Sequence, residues 1–446
     1  MTNKPRVIVA GAGPVGLYTA HALAKANVDF VVLEQQSEIV RYRGAGTVLL
    51  PHACRLMDQI GLYTRLEEIA ARMHSKSNIL QNGQEFCRFH LFDPFEDHFG
   101  YACLGLSRSQ LIQVLYESLP ERESRVKTNA RVVDIETDAS GVRVHLADGS
   151  IEEGAIIIGA DGVHSQTRTI MNRLARDSSS GAGEKDDYPM VASFKGLFAR
   201  SRLHEGLETG LFVETHGSGL VTQSTSGKDY IYYSVVRALP TPTTVQRKYS
   251  AQEMEEEAKS ISEIYIFPGI KFKDLWATTA RTDATFVNLE EGIIDKWYHG
   301  RIVLLGDTVH KMTSINGLGV NTGLQSAAVL INQLHDALRS NPDLPNEAIE
   351  KAFHSYQSIQ EPSCRAIVKM GMEMTRMVTW STWTAWFFDR YVIPWMNMEN
   401  QVKTQMHPFV SNAYALDFVP FESKVGQTPW NKTPKFQAAE QGTERV

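Results

Sequence analysis

Three short, continuous apolar runs end directly in glycine: Val7-Ile-Val-Ala10 before Gly11, Ala155-Ile-Ile-Ile158 before Gly159, and Ile302-Val-Leu-Leu305 before Gly306. Runs of this length without polar alternation read as strands buried on both faces, as in a parallel sheet covered by helices. After the first run, a helical segment leads to a second apolar strand over Val28 to Leu33. Elsewhere the period changes. Leu56, Ile60 and Leu62 recur near helical spacing. The stretches 191–198, 211–214, 219–224 and 230–236 read as successive strands, and so as an antiparallel sheet set into the chain. Strands at 131–137 and 142–146 flank the turn Asp138-Ala-Ser-Gly141, and Ser107 is placed to cap a helix beginning at Arg108. A helix over 251–264 carries Glu253 to Glu257 as a solvated face, and a longer one follows Gly319 as far as Arg339.

This pattern predicts an α/β protein: a Rossmann-like domain with an inserted antiparallel β-sheet domain and a helical C-terminal region. The expected boundaries are a discontinuous nucleotide-binding domain from 1–74, 100–175 and 285–370, a substrate domain from 75–99 and 188–284, and a C-terminal part from 371–446 that frays beyond Ser423. Asp177 to Asp187, poor in apolar residues, reads as a surface loop.

Composition narrows the function classes. A formal charge of −6, with cations spread along 446 residues, leaves no footprint for nucleic acid and favours small-molecule partners. Four cysteines without C-x-x-C spacing argue against a disulfide framework or zinc site, and no metal site is expected. A cytoplasmic, reducing location follows. The aromatic-rich stretch Trp380 to Trp395 is too short to span a bilayer. Packing on the body of the protein is the expected role, with weak contact to a membrane surface as the alternative.

The chemistry begins at Gly11-Ala-Gly13-Pro-Val-Gly16. Gly11 supplies the turn, Gly13 lets a pyrophosphate approach the backbone, and Gly16 packs helix on strand. Glu34, at the end of the second strand, is spaced to accept from a ribose hydroxyl. These features point to a dinucleotide and leave NAD and FAD both open. His52, at the start of a helix, reads as a capping or packing residue.

Taken with Asp161-Gly162 and Gly306-Asp307 at the other two strand ends, the fingerprint resembles the class A flavoprotein monooxygenases over roughly residues 5 to 370. His310-Lys-Met-Thr313 looks most like fungal epoxidases and hydroxylases of terpenoid and indole pathways. The resemblance implies bound FAD, with NAD(P)H and O2 as co-substrates and oxygen transfer through a C4a-hydroperoxyflavin. It assigns Glu34 to the ribose, Arg108 to a contact with the cofactor, Asp161-Gly162 to the region of the pyrophosphate, and Asp307 to the ribityl chain. Gly317, Gly319, Val320 and Asn321 would meet one side of the flavin, and Arg43, Gly44, Ala45 and Val48 the other. Lys195 is the candidate cation assisting oxygen transfer, and His310 a candidate acid or base or a support for its loop. Phe194, Phe212, Tyr232 and Tyr233 are candidates for an apolar pocket. A flavin oxidase or dehydrogenase of the same fold, and a flavin-binding redox protein without turnover, are the alternatives.

Overall fold

The computed structural model describes residues 5–42, 46–178 and 190–434. The three apolar runs and the second strand assemble into one sheet. Its strand order is Tyr298–His299, Ile302–Leu304, Ile156–Gly159, Arg6–Ala10, Asp29–Leu33 and Val126–Lys127. The five inner and far-edge strands run parallel, and only Tyr298–His299 is antiparallel. Val7 to Ala10, Ile156 to Ile158 and Ile302 to Leu304 are at most 1% exposed, which is why their sequence shows no alternation. The glycine turns follow these strands at one edge of the sheet. That edge is where open α/β sheets hold their ligands.

An eight-stranded sheet stands over this edge, in the order His310–Lys311, Thr285–Ile293, Val191–Arg202, Tyr230–Thr243, Leu220–Ser226, Phe212–Gly217, Lys76–Leu80 and Glu85–Phe89. Lys76–Leu80 pairs in parallel with Phe212–Gly217, so the two chain segments expected to form the substrate domain share one sheet. Thr285–Ile293 also belongs to it, hydrogen-bonded to Val191–Arg202. The strand therefore lies on the other side of the boundary expected at residue 285, and it carries the chain back from the inserted sheet to the nucleotide-binding sheet.

Helix Asn346–Val378 continues without a break through the boundary expected at 371. The chain beyond Ser423 is held as far as it is described. Arg55, 1% exposed, donates to Ser423 Oγ and to the Lys432 carbonyl, and its guanidinium lies 4.5 Å from the Trp430 ring centre. The aromatic stretch is divided. Asp389 is buried and Trp380 half-buried, whereas Trp383 is 75% and Trp395 89% exposed. Packing on the body thus accounts for part of that stretch only. No helix among the described residues is long and apolar enough to cross a membrane. The loop expected at 177–187 lies outside the described residues beyond Ser178.

Candidate flavin and substrate site

A cleft of about 320 Å³ runs along the ends of the central strands, lined by Gly11, Gly13, Glu34, Arg108, Asp161 and Gly162 among others. The glycines of the first turn differ in what they permit. Gly11 has φ +103°, and a Cβ there would stand 2.5 Å from the Ala160 carbonyl oxygen. At Gly16 a Cβ would meet the Gly11 oxygen at 2.0 Å. Both are required by the fold itself. At Gly13 the nearest atom to such a Cβ is the Arg108 guanidinium, 3.6 Å away, so the space above Gly13 is open and faces a cation.

Gly13 also begins helix Pro14–Lys25, which no described side chain caps. A helix start with open N–H groups, a bare glycine and an arginine opposite fits a pyrophosphate. Glu34 accepts from the Ala12 and Gln36 amides, each at 3.0 Å, which fixes its carboxylate at the cleft wall. Arg41 and Arg131 line the same cleft and add cations that the glycine pattern gave no reason to single out.

The acidic residues of the other two strand ends behave differently from each other. Asp161 turns its carboxylate onto the start of helix Gln166–Ser178, accepting from Ser165 Oγ at 2.5 Å and from the Thr167 amide and hydroxyl at 3.0 Å. Its direct use is to anchor that helix, while Gly162, at φ +88°, turns the chain along the cleft. Asp307 receives a hydrogen bond from Lys311 Nζ at 2.5 Å. Burial would raise its pKa, but Lys311 and the nearby Arg108 hold it below the usual carboxylate range. Arg108 thereby stands between Gly13 and Asp307. Its helix is set by a capping box in which Ser107 Oγ accepts from the Gln110 amide while the Gln110 side chain accepts from the Ser107 amide.

A second cavity, of about 170 Å³, lies between the eight-stranded sheet, strand Gly46–Leu49 and the loop Ser314 to Gly317, and includes Val48, Phe198, Phe212, Tyr232, Ile315 and Gly317 in its walls. Its two sides are tied together by one residue. Asn321, fully buried, accepts from the Leu50 amide at 2.9 Å and donates to the carbonyls of Val48 and Gly317, both at 2.9 Å. Asn321 therefore acts as a clasp that sets the gap between strand Gly46–Leu49 and the loop before helix Gly319–Ser340. Gly317 adopts φ +63°, and neither it nor Gly319 has any atom within 4 Å of where a Cβ would sit. This leaves the uncapped helix start, around Gly319 and Val320, open to a planar group. Arg43, Gly44 and Ala45 lie outside the described residues.

The two catalytic candidates stand elsewhere. Lys195 shares its sheet face with Leu197 and Ala199, which pack in the outer core, whereas Phe194 and Phe198 point to the other face. Its ammonium pairs with Glu257 at 2.7 Å and lies 5.1 Å from the Phe286 ring centre. The strand alternation directs Lys195 away from the cavity, so it cannot assist oxygen transfer there. The same pair corrects the reading of 253–257 as wholly solvated, because Glu257 is only 7% exposed. His310 is fully buried beside Trp297, with Nε2 3.4 Å from Ser326 Oγ and Nδ1 unpartnered. Burial pushes its pKa down to about 4, and it borders neither cavity. His310 supports its loop as a neutral packing residue. His52, also fully buried and packed edge-on against Phe409, is likewise a packing residue. Tyr232 lines the cavity together with Phe212, whereas Tyr233, opposite Ala199, turns its ring into the outer core against Phe272, and Phe194 packs beside the cavity with Ile315 and Val378.

Among the described residues, no group of histidine, cysteine, aspartate and glutamate side chains is arranged to hold a metal ion. The donors present suit a dinucleotide and a planar ring system instead.

Comparison with known proteins agrees with this chemistry. The model of the FAD binding domain family matches residues 4–370. The chain is 41% identical over 439 residues to the FAD-dependent monooxygenase srdH of Neurospora crassa, covering 95% of this chain and 98% of that protein. It is 30% identical to the FAD-dependent monooxygenase ausM of Penicillium brasilianum, covering 95% and 89% respectively. Among solved structures, Klebsiella pneumoniae HpxO complexed with FAD and uric acid is similar in fold, with a TM-score of 0.72 at 21% identity over 90% of this chain and 95% of that one. The strand-end glycines, the open helix starts and the matched length lead to one conclusion: this chain is an FAD-dependent enzyme and belongs to the class A flavoprotein monooxygenase family.

Proposed function

We propose that the enzyme uses NAD(P)H and O2 to epoxidise or hydroxylate an apolar, electron-rich natural-product intermediate held in the cavity between the eight-stranded sheet and the loop at Gly317. The observation that carries this reading is the composition of the cavity where it meets the Asn321 clasp. Phe92, Phe198, Phe212, Tyr232, Ile315 and Met374 provide an apolar wall directly beside Val48 and Gly317.

FAD, when bound, supplies electron storage and the activation of O2. The residues of the chain supply position and environment. Gly13, Arg108 and the helix start at Pro14 would hold the pyrophosphate, Glu34 the adenosine ribose, and Asp307 the ribityl hydroxyls. Gly317 to Val320 would direct backbone N–H groups and the positive end of a 22-residue helix at the ring edge that becomes negative on reduction. The aromatic wall excludes water, which keeps the reducing equivalents coupled to substrate oxidation. Nicotinamide would bind transiently, since no second G-x-G-x-x-G domain is evident in the sequence.

The test is a comparison of NAD(P)H consumption with product formation across fractionated pathway extracts. The expected outcome is one fraction that accelerates NAD(P)H oxidation and yields a product heavier by one oxygen atom. NAD(P)H oxidation that no fraction alters, with all oxygen released as hydrogen peroxide, would contradict the proposal.

A further inference from the structure

Four buried ionisable side chains, none of them used in the reading above, form a continuous array beneath one wall of the substrate cavity. Lys76 Nζ donates to Glu214 Oε2 at 2.6 Å. The same carboxylate oxygen lies 2.9 Å from His216 Nε2, and His216 Nδ1 lies 2.7 Å from Asp389 Oδ2. Glu214, His216 and Asp389 are at most 1% exposed. Each imidazole nitrogen faces a carboxylate at hydrogen-bonding distance, and with both carboxylates ionised both nitrogens donate and the ring carries the positive charge. Burial alone would lower the His216 pKa, but the bonds to Asp389 and Glu214 raise it. Burial would raise that of Glu214, and Lys76 and His216 hold it well below the usual range. Two cations thus offset two anions.

A buried array of this kind is rarely the most stable way to fill space, since apolar packing often does as well or better. This one is also anchored from two sides. Trp380 Nε1 donates to Asp389 at 2.7 Å from a backbone at φ +46°, a left-handed conformation that is unfavourable for a bulky residue. Gln223 bridges Glu214 Oε1 to the Ile315 carbonyl, both at 2.8 Å, and so joins the array to the loop that precedes Gly317. The other end of the array reaches the cavity, where Lys76 is the sole charged side chain among the described lining residues.

We propose that Lys76, oriented by the Glu214–His216–Asp389 array, is the polar anchor of the cavity and holds an enolate or phenolate oxygen of an otherwise apolar substrate. An ammonium with one hydrogen committed to Glu214 keeps further donors for a ligand oxygen, and an apolar surround strengthens that charge-assisted bond. The anionic oxygen raises electron density at the adjacent carbon, which is the property that an electrophilic oxygen donor exploits. This inference rests on the proposed monooxygenase reading of the cavity and specifies its substrate class.

The experiment titrates FAD-loaded protein with 4-hydroxycoumarin, an enolate at neutral pH, and with its neutral ether 4-methoxycoumarin, following the change in flavin absorbance. The native protein is expected to bind the enolate at least about tenfold more tightly than the ether, as one charge-assisted hydrogen bond implies. Lys76→Met should abolish that preference and leave the ether bound within about twofold, as expected when only a charged contact is lost. Lys76→Arg should retain it. The double variant Lys76→Met/Glu214→Gln, in which His216 and Asp389 still balance, guards against a loss caused by an unpaired buried carboxylate and should behave as Lys76→Met. Absence of enolate binding, equal affinity for the two coumarins in the native protein, or a preference that survives in both methionine variants would overturn the inference. Failure of the monooxygenase reading is distinguishable, because it would abolish substrate oxygenation and leave the enolate preference intact.

Discussion

Replacing Asn321 with alanine removes three hydrogen bonds at once and leaves the Leu50 amide and the Val48 and Gly317 carbonyls without their partner. Each orphaned buried group costs about 1–3 kcal/mol. Local relaxation lets some of these groups find water, so the lower end of the range applies, and the three together come to about 3 kcal/mol. Because the clasp sets the gap between Gly46–Leu49 and Gly317, this cost falls on the geometry of the flavin slot. About 3 kcal/mol corresponds to roughly a hundredfold loss in FAD affinity. Asn321→Asp is the matched control: it keeps the acceptor for Leu50 but sets an oxygen against two carbonyls, and it should be at least as damaging. FAD affinity is read by titrating apoprotein while following flavin fluorescence, and thermal unfolding of the apoprotein is recorded in parallel. An alanine variant that binds FAD within about twofold of native, with unchanged apoprotein stability, would refute the clasp.

The glycines of the first turn should separate by function. Gly13→Ala should fold and lose FAD affinity, while Gly11→Ala and Gly16→Ala should fail to accumulate as soluble protein, because a Cβ there meets backbone at 2.5 Å or less. Equal FAD retention in all three, measured by absorbance, would contradict this assignment. His52 and His310 are buried with pKa values pushed down to about 3 and about 4, so the unfolded chain binds more protons than the native one below its ordinary histidine value. Stability should therefore fall as pH drops from about 6.5 toward 4, with each histidine contributing a loss of about 2 kcal/mol at pH 5. His52→Phe should shallow that slope in a series of thermal melts, and an unchanged slope would count against the neutral, buried assignment. Lys195→Met should leave turnover within about twofold of native and lower stability by about 1 kcal/mol, the order expected for a partly buried pair. A large loss of turnover with an intact fold would return Lys195 to the chemistry.

The parallel sheet was legible because its strands are buried on both faces. Continuous apolar runs at Val7–Ala10 and Ile156–Ile158 admit little else, and each glycine turn follows its strand directly. The side of the sheet taken by Lys195 was also written in the chain. Period-two alternation separates it from Phe194 and Phe198, so the phase of the strand, not the charge of one residue on it, decides which side Lys195 faces. Asp161 carried a comparable signal, with Ser165 and Thr167 spaced to bond it as a helix anchor. The Asn321 clasp and the Lys76 array had no such signal. Asn321 bonds partners about 270 residues distant, and Glu214 meets Lys76 138 residues away. Such pairings become visible only once strand Lys76–Leu80 lies beside Phe212–Gly217 and helix Gly319–Ser340 meets strand Gly46–Leu49. The strand Thr285–Ile293 was misplaced for a similar reason, since its sheet is decided by the neighbour it bonds rather than by its own pattern.

In the proposed function, the cavity beside Gly317 is the place where an oxygen atom from O2 enters the substrate. The most direct measurement supplies the FAD-loaded enzyme with NAD(P)H, a substrate identified from pathway extract and oxygen gas labelled with the heavy isotope, then weighs the product. The expected product carries one labelled oxygen atom per molecule from the gas and none from labelled water. A product whose added oxygen comes from water, or an oxidised product that has gained no oxygen while labelled hydrogen peroxide accumulates, would contradict the proposed function.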